Sequence, residues 1–177
     1  DSVDMLEKIG QPIYKISSFH VTDLKLIEKV CNTGKPLIMS TGMSSWEEID
    51  TAVEIIRKFT DHFVLMQCTS SYPAELEDLN LSAIPAIQKR YQCQVGYSGH
   101  ERGVGVGPGA VLLGASVIER HFTMDRTLKG PDHAASLEPR GLDLLVKRSN
   151  NYWKALGEPK KEIQESELAN RLKFRGY

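Results

Sequence analysis

Residues 94–123 read QVGYSGHERGVGVGPGAVLLGASVIERHFT, and the fold is decided here. QVGYS (94–98) is a short run of strand-forming residues that ends polar, at Ser98 and then His100. A glycine-rich stretch follows at 103–109, then an apolar helical segment over Ala110–Ala115. A second strand-like run, SVIERHFT (116–123), ends polar again at His121 and Thr123. Two strands joined through a helix run parallel, so this is a βα crossover unit.

The same unit repeats toward the N-terminus. PIYKISS (12–18), PLIMST (36–41) and FVLMQCT (63–69) read as three earlier strands. Between them, Thr22 caps a helix with Leu24, Ile27, Val30 and Cys31 on one face, stopped by Gly34. Ser44 with Glu47 forms a capping box ahead of Ile49, Ala52, Val53 and Ile56, an i, i+3, i+4, i+7 stripe. A further helix is expected from Ser82 to Tyr91, and Val3, Leu6 and Ile9 suggest that the chain starts in a helix. The last long helix begins near Glu138-Pro139, carries Leu142, Leu145, Val146, Trp153 and Leu156, and ends at Gly157. Beyond it, residues 158–177 are charged and aperiodic, as expected of a linker.

Strands rich in Ile, Val and Leu that alternate with helices imply an α/β fold with a parallel sheet covered on both faces. An open doubly wound sheet and a (βα)8 barrel both fit that pattern. Strand starts at 12, 36, 63, 94 and 116 recur about every 26 residues, and three more units would bring the chain near the ~250 residues of a (βα)8 barrel. The 177 residues open on Asp1 rather than Met, and a piece of something longer is the expectation.

Composition excludes several classes. With 41% hydrophobic and 25% charged residues the chain is an ordinary globular one, not a disordered one. Twenty-two basic against 23 acidic residues, net −1, argue against a nucleic-acid-binding surface, and no apolar run is long enough to span a membrane. Cys31, Cys68 and Cys93 form no C-x-x-C pair; reduced core cysteines and a cytoplasmic location are expected.

Polar residues collect at the C-terminal ends of the strands: Ser17-Ser18, Ser40-Thr41, Thr69-Ser70, Ser98 with His100, and His121 with Thr123. Barrels and open α/β sheets both bind ligands along that edge. His100 and His121 close consecutive strands, and period 2 puts Ser98 with His100, and Glu119 with His121, on one face. Two imidazoles converging from neighbouring strands make a candidate divalent-metal site with positions left open. Gly105 to Ala110 matches G-x-G-x-x-A, with Asp125 downstream, but residues 99–104 separate it from its strand, so dinucleotide binding is not expected. Thr33-Gly34-Lys35-Pro36 is a helix-to-strand turn rather than a phosphate loop.

KISS (15–18), STGM (40–43), CTSSYP (68–73), GYSGH (96–100), ERHFT (119–123) and GPDHAASLEP (130–139) together resemble the sialic acid synthase (N-acetylneuraminate synthase) family, with its pseudaminic and legionaminic acid relatives. The resemblance covers nearly the whole chain, from about Asp1 to Glu158, and implies units four to eight of a (βα)8 TIM barrel, incomplete as it stands. Residues 1–157 would then be the partial barrel, and 158–177 a linker toward a small antifreeze-like domain. The family condenses phosphoenolpyruvate with an open-chain N-acetylhexosamine and releases phosphate. By resemblance His100 and His121 hold Mn²⁺ or Mg²⁺, and Lys15, Ser18, Ser40, Ser70 and Ser98 bind phosphoenolpyruvate. Tyr72 and Asp132 contact the sugar, and Lys15, Ser98 and Tyr72 are the expected catalytic residues. His20 stands where the family usually has a sugar-contacting glutamate, which leaves the choice of hexosamine open. The family's first three strands, with a catalytic glutamate and a further lysine, have no counterpart here. Family members are homodimers. The alternative is a barrel fragment that is inactive without a partner.

Overall fold

The computed structural model describes residues 2–177. In it the apolar runs become five strands: β1 (Tyr14–Ile16), β2 (Leu37–Ser40), β3 (Phe63–Cys68), β4 (Gln94–Gly99) and β5 (Val117–Arg120). They pair in chain order and all in parallel. Helices alternate with them: α1 (Ser2–Lys8), α2 (Leu24–Cys31), α3 (Trp46–Arg57), α4 (Ala83–Tyr91), α5 (Val106–Leu112) and α6 (Pro139–Leu156).

Because successive side chains on a strand face opposite ways, each strand divides its residues between two faces. On one face Tyr14, Ile16, Leu37, Met39, Phe63, Leu65, Val95 and Tyr97 are buried in a single core. Ile27, Val30, Ile49, Ile56, Ile84 and Ile87 of α2, α3 and α4 pack into the same core. The other face carries Lys15, Ser40, Met66, Cys68, Ser98 and Glu119. Met66 is fully buried there because it lies across Gly96, where a Cβ would come within 3.1 Å of Met66 carbons and 2.8 Å of the Val117 carbonyl.

The sheet is strongly curled, and a single ion pair shows it. Lys15 Nζ of β1 lies 3.5 Å from Glu119 Oε2 of β5, although four inter-strand spacings would set these strands roughly 19 Å apart in a flat sheet. Curling brings the two edge strands to face each other around the polar side. The fold is an incomplete α/β barrel, with its polar face as the barrel interior.

Several element boundaries differ from the sequence expectation. The capping box of α3 is Ser45 with Glu48 rather than Ser44 with Glu47; adjacent Ser-Ser and Glu-Glu pairs satisfy the pattern in two registers. Asp23, not Thr22, caps α2 by accepting from the Leu26 amide at 3.1 Å. Helix α5 starts inside the glycine run, because Gly107 lets it nest on α6: a Cβ there would sit 2.8 Å from Leu145 Cδ1. Of the run, Gly107 therefore serves helix packing. The charged tail contains a short helix, α7 (Leu168–Arg175), with no buried residue. Among the described residues no helix is long and apolar enough to cross a membrane.

Candidate functional site

The C-terminal ends of the strands open into a cleft of about 390 Å³ whose walls include Lys15, Ser40, Cys68, Ser98 and Glu119. Parallel pairing aligns these ends: Cys68 lies opposite Ser98, and Ser98 opposite Glu119. Ser98 donates to Glu119 Oε1 at 2.7 Å, so Glu119 links a hydroxyl on β4 to the Lys15 ammonium on β1. Lys15 Nζ also donates to the Ile16 carbonyl at 3.1 Å.

A second group of hydroxyls surrounds the turn after β2. Ser18 accepts from the Gly42 amide at 2.9 Å. A Cβ on Gly42 would lie 2.3 Å from Ser70 Oγ and 3.1 Å from Cys68 Sγ, so glycine is what lets three loops converge. Ser40 Oγ and Ser70 Oγ are buried without a hydrogen-bond partner. Buried hydroxyls are normally satisfied, and an orphaned Ser40 in the same cleft as Lys15 suits an anionic oxygen ligand.

The histidines form the opposite wall. Their ring centroids are 5.2 Å apart, and Tyr72 lies against His100 at 4.1 Å and edge-on to His121 at 5.6 Å. His100 Nδ1 donates to the Thr69 carbonyl at 2.7 Å. That contact fixes the tautomer and leaves Nε2 with the lone pair in the neutral ring. Cys68 Sγ lies 4.0 Å from the same Nδ1. Burial raises the Cys68 thiol pKa, but His100, Ser18 and Ser98 outweigh it and hold the thiol below its ordinary range. Burial likewise disfavours charge on His100, yet Cys68 and the Thr69 carbonyl push its pKa above the usual histidine value. Burial and the nearby Cys68, Asp132 and Glu119 raise the Tyr72 hydroxyl, which stays a neutral donor.

Asp132 reaches the site because its loop folds back onto β5. Leu137 N donates to the His121 carbonyl at 2.8 Å, and Thr123 N to the Leu137 carbonyl at 2.9 Å. Thr123 Oγ1 and His133 Nδ1 are 2.7 Å apart. The loop so pinned sets Asp132 Oδ2 3.8 Å from His121 Nδ1.

Most expected site residues thus come together: Lys15, Ser18, Ser40, Tyr72, Ser98, His100, His121 and Asp132 line the one cleft, and Ser70 borders it at Gly42. His20 does not; it is exposed and its Nδ1 lies 2.9 Å from Ser17 Oγ, while Phe19 beside it lines the cleft. Sequence reasoning missed Cys68 and the Thr69 carbonyl as partners of His100. The parity that paired Glu119 with His121 could have brought Glu119 in. Among the described residues no three of His, Cys, Asp and Glu converge as a full ligand set. The chain would offer a divalent cation two imidazoles, His100 and His121, with the other positions left to water or ligand oxygens. A larger cleft of about 760 Å³ opens at the other end of the strands, beside Ile13, Ile38, Val64 and Gln94. Its walls carry one lysine, Lys89, and one histidine, His62, with no serine or threonine and no histidine pair; the converging hydroxyls and paired imidazoles are in the smaller one.

The chain is similar along nearly its whole length to enzymes of one kind. It is 39% identical over 173 residues to the N,N'-diacetyllegionaminic acid synthase of Campylobacter jejuni, covering 96% of this chain and 52% of that protein. Against the human N-acetylneuraminate-9-phosphate synthase it is 39% identical over 169 residues, covering 95% and 47%. A solved sialic acid synthetase from Leptospira borgpetersenii, in complex with citrate, superposes with a TM-score of 0.89 at 40% identity, covering 99% of this chain and 62% of that one. The chain spans about half the length of the curated relatives it matches. The NeuB family model matches residues 1–161, and on that match, with the strand-end site in place, the chain belongs to the NeuB family.

Proposed function

We propose that the protein carrying this chain condenses phosphoenolpyruvate with an open-chain N-acetylhexosamine to give a nonulosonic acid and inorganic phosphate. The observation that carries the reading is Lys15 and the orphaned Ser40 hydroxyl sharing one cleft with the histidine pair, in a chain of this family. Carbon 3 of phosphoenolpyruvate bonds to the sugar aldehyde carbon, the aldehyde oxygen takes a proton, water adds at carbon 2, and the C–O bond to phosphate breaks.

Each group has a part that follows from its chemistry. Lys15 supplies a cation, and Ser18, Ser40, Ser70 and Ser98 supply hydroxyl donors for the phosphate and carboxylate oxygens. Tyr72, neutral and packed on both histidines, walls the sugar side and can donate a proton, while Asp132 accepts from sugar hydroxyls. His100 and His121 would hold a divalent ion, which supplies Lewis acidity toward the aldehyde oxygen. Before ligand arrives, Glu119 neutralises Lys15; an anionic ligand replaces it as the partner of the ammonium. Phe19 lines the cleft beside the Ser17-tied His20, and the choice among hexosamines falls to Phe19.

The three cysteines are free, which suits a reducing compartment such as the cytoplasm, and a homodimer completes the reading. The test is a stoichiometric assay with phosphoenolpyruvate, Mn²⁺ and a panel of N-acetyl- and diacetamido-hexosamines. Phosphate and a nonulosonic acid are expected in equal amounts with at least one sugar. Phosphate release that needs no sugar, or none with any sugar, would overturn it.

A further inference from the structure

Behind the histidine wall, on the face of the sheet away from the cleft, lies an ion pair that the proposed reaction does not use. Glu101 follows His100 in the chain, and Arg120 precedes His121. Their side chains are 0% and 2% exposed, and Arg120 Nη1 lies 2.6 Å from Glu101 Oε1. The same nitrogen donates to the Gly103 carbonyl at 2.8 Å, and Nη2 donates to the Glu101 backbone carbonyl. Tyr97 Oη donates to Glu101 Oε2 at 2.8 Å. Gly99 leaves room for that carboxylate, since a Cβ there would stand 2.5 Å from Oε2.

Its position in the ladder gives the pair its meaning. Gly99 opposite Arg120 is the last register pair between β4 and β5, so His100 and His121 both lie just past the regular hydrogen bonding. Beyond that point His100 is anchored on one side by Ala74 N, which donates to its carbonyl at 3.1 Å. On the other side the Arg120 fork grips the backbone of residues 101 and 103. The fork thus ties the peptide after one histidine to the residue before the other.

Stability alone explains this pair poorly. A buried ion pair is often no more stabilising than apolar side chains of the same size, and here Arg120 Nε is buried without a partner. What a rigid guanidinium fork supplies is direction. We propose that Glu101 and Arg120 are positioning residues that fix the separation and orientation of His100 and His121 for a divalent cation. The proposal rests on the metal reading given above.

The test compares Mn²⁺ affinity, read by the paramagnetic resonance of free Mn²⁺, with thermal stability in four proteins. Arg120→Lys keeps the charge but loses the fork, and Glu101→Gln keeps the shape but loses the charge. Leu65→Ala is the control, weakening the core while leaving every hydrogen bond of the pair in place. Loss of an outer-sphere partner weakens metal affinity about 10- to 100-fold, and that is the expectation for both pair variants, with shifted His100 and His121 ring proton resonances in the metal-free protein. Leu65→Ala is expected to lower the melting temperature and leave affinity unchanged. Should either pair variant fail to fold, Tyr97→Phe removes a single hydrogen bond to Glu101, with an expected loss of about 3- to 10-fold. Pair variants, or Tyr97→Phe in their place, that bind Mn²⁺ as tightly as the unaltered protein would overturn the proposal. An unaltered protein that binds no Mn²⁺ would overturn the metal reading itself and this proposal with it.

Discussion

The two faces of the one sheet are built from alternate residues of the same strands, yet they do opposite work. On β4, Val95 and Tyr97 point outward and are buried in the helix-covered core, while Gly96 and Ser98 point inward. The outer face is a dense apolar layer, broken at its end by the buried Glu101–Arg120 pair. The inner face has two buried hydroxyls without partners, a lysine held by a carboxylate four strands away, and a histidine pair. Apart from the Glu101–Arg120 pair, stability resides in one parity and chemistry in the other, so the two should separate under mutation.

The largest effect expected is on the inner face. His121→Ala should lower the condensation rate by roughly 10³-fold or more with little change in melting temperature; turnover close to that of the unaltered protein would remove the histidine pair from the mechanism. Lys15→Met should raise the Michaelis constant for phosphoenolpyruvate about 10- to 100-fold, the worth of a charge-assisted hydrogen bond. On the outer face Leu65→Ala, at a side chain with no exposure, should cost about 2–5 kcal/mol of unfolding free energy in urea titration and spare the activity of the folded fraction.

Acid sensitivity provides a smaller effect of the outer layer. The Arg90 guanidinium and then the Tyr91 hydroxyl hold the Asp50 carboxyl below its ordinary range; Lys35 and Tyr14 do the same for Glu7. A depressed folded pKa contributes stability that is present above the unfolded value and lost as pH falls through the folded one. Urea midpoints should therefore drop below about pH 4, where these carboxylates begin to protonate. In Asp50→Asn that drop should be shallower, and an equally steep one would assign the acid loss elsewhere. These groups are exposed, so the effect is the smallest of the set.

How much of this was legible in the sequence follows from the same division. Periodicity 2 and 3.6 located all five strands and the six helices that pack on or between them, because burial on one face imposes a regular pattern. Polar strand ends exposed Ser40, Ser98, His100 and His121 as a set, since alignment in a parallel sheet follows from order alone. Contacts that depend on curvature were hidden: nothing in the spacing of Lys15 and Glu119 shows that the first and fifth strands meet. Nor does spacing show that Ser18, Ser70 and Cys68 converge on Gly42, which needs three loops in place at once. Glu101 and Arg120 looked like ordinary charged loop and strand residues, because only the fold reveals that both are buried. The Ser44-Ser45 and Glu47-Glu48 repeats fit the capping pattern in two registers one residue apart, and the structure has the second.

The central claim is that the inner face at the strand ends is the binding face and that its worth is independent of the outer core. Calorimetric titration of phosphoenolpyruvate into the unaltered protein, Lys15→Met and Leu65→Ala tests it most directly. The account predicts that Leu65→Ala binds as the unaltered protein does, while Lys15→Met binds at least ~10-fold more weakly. Equal weakening in both variants, or undiminished binding by Lys15→Met, would contradict it.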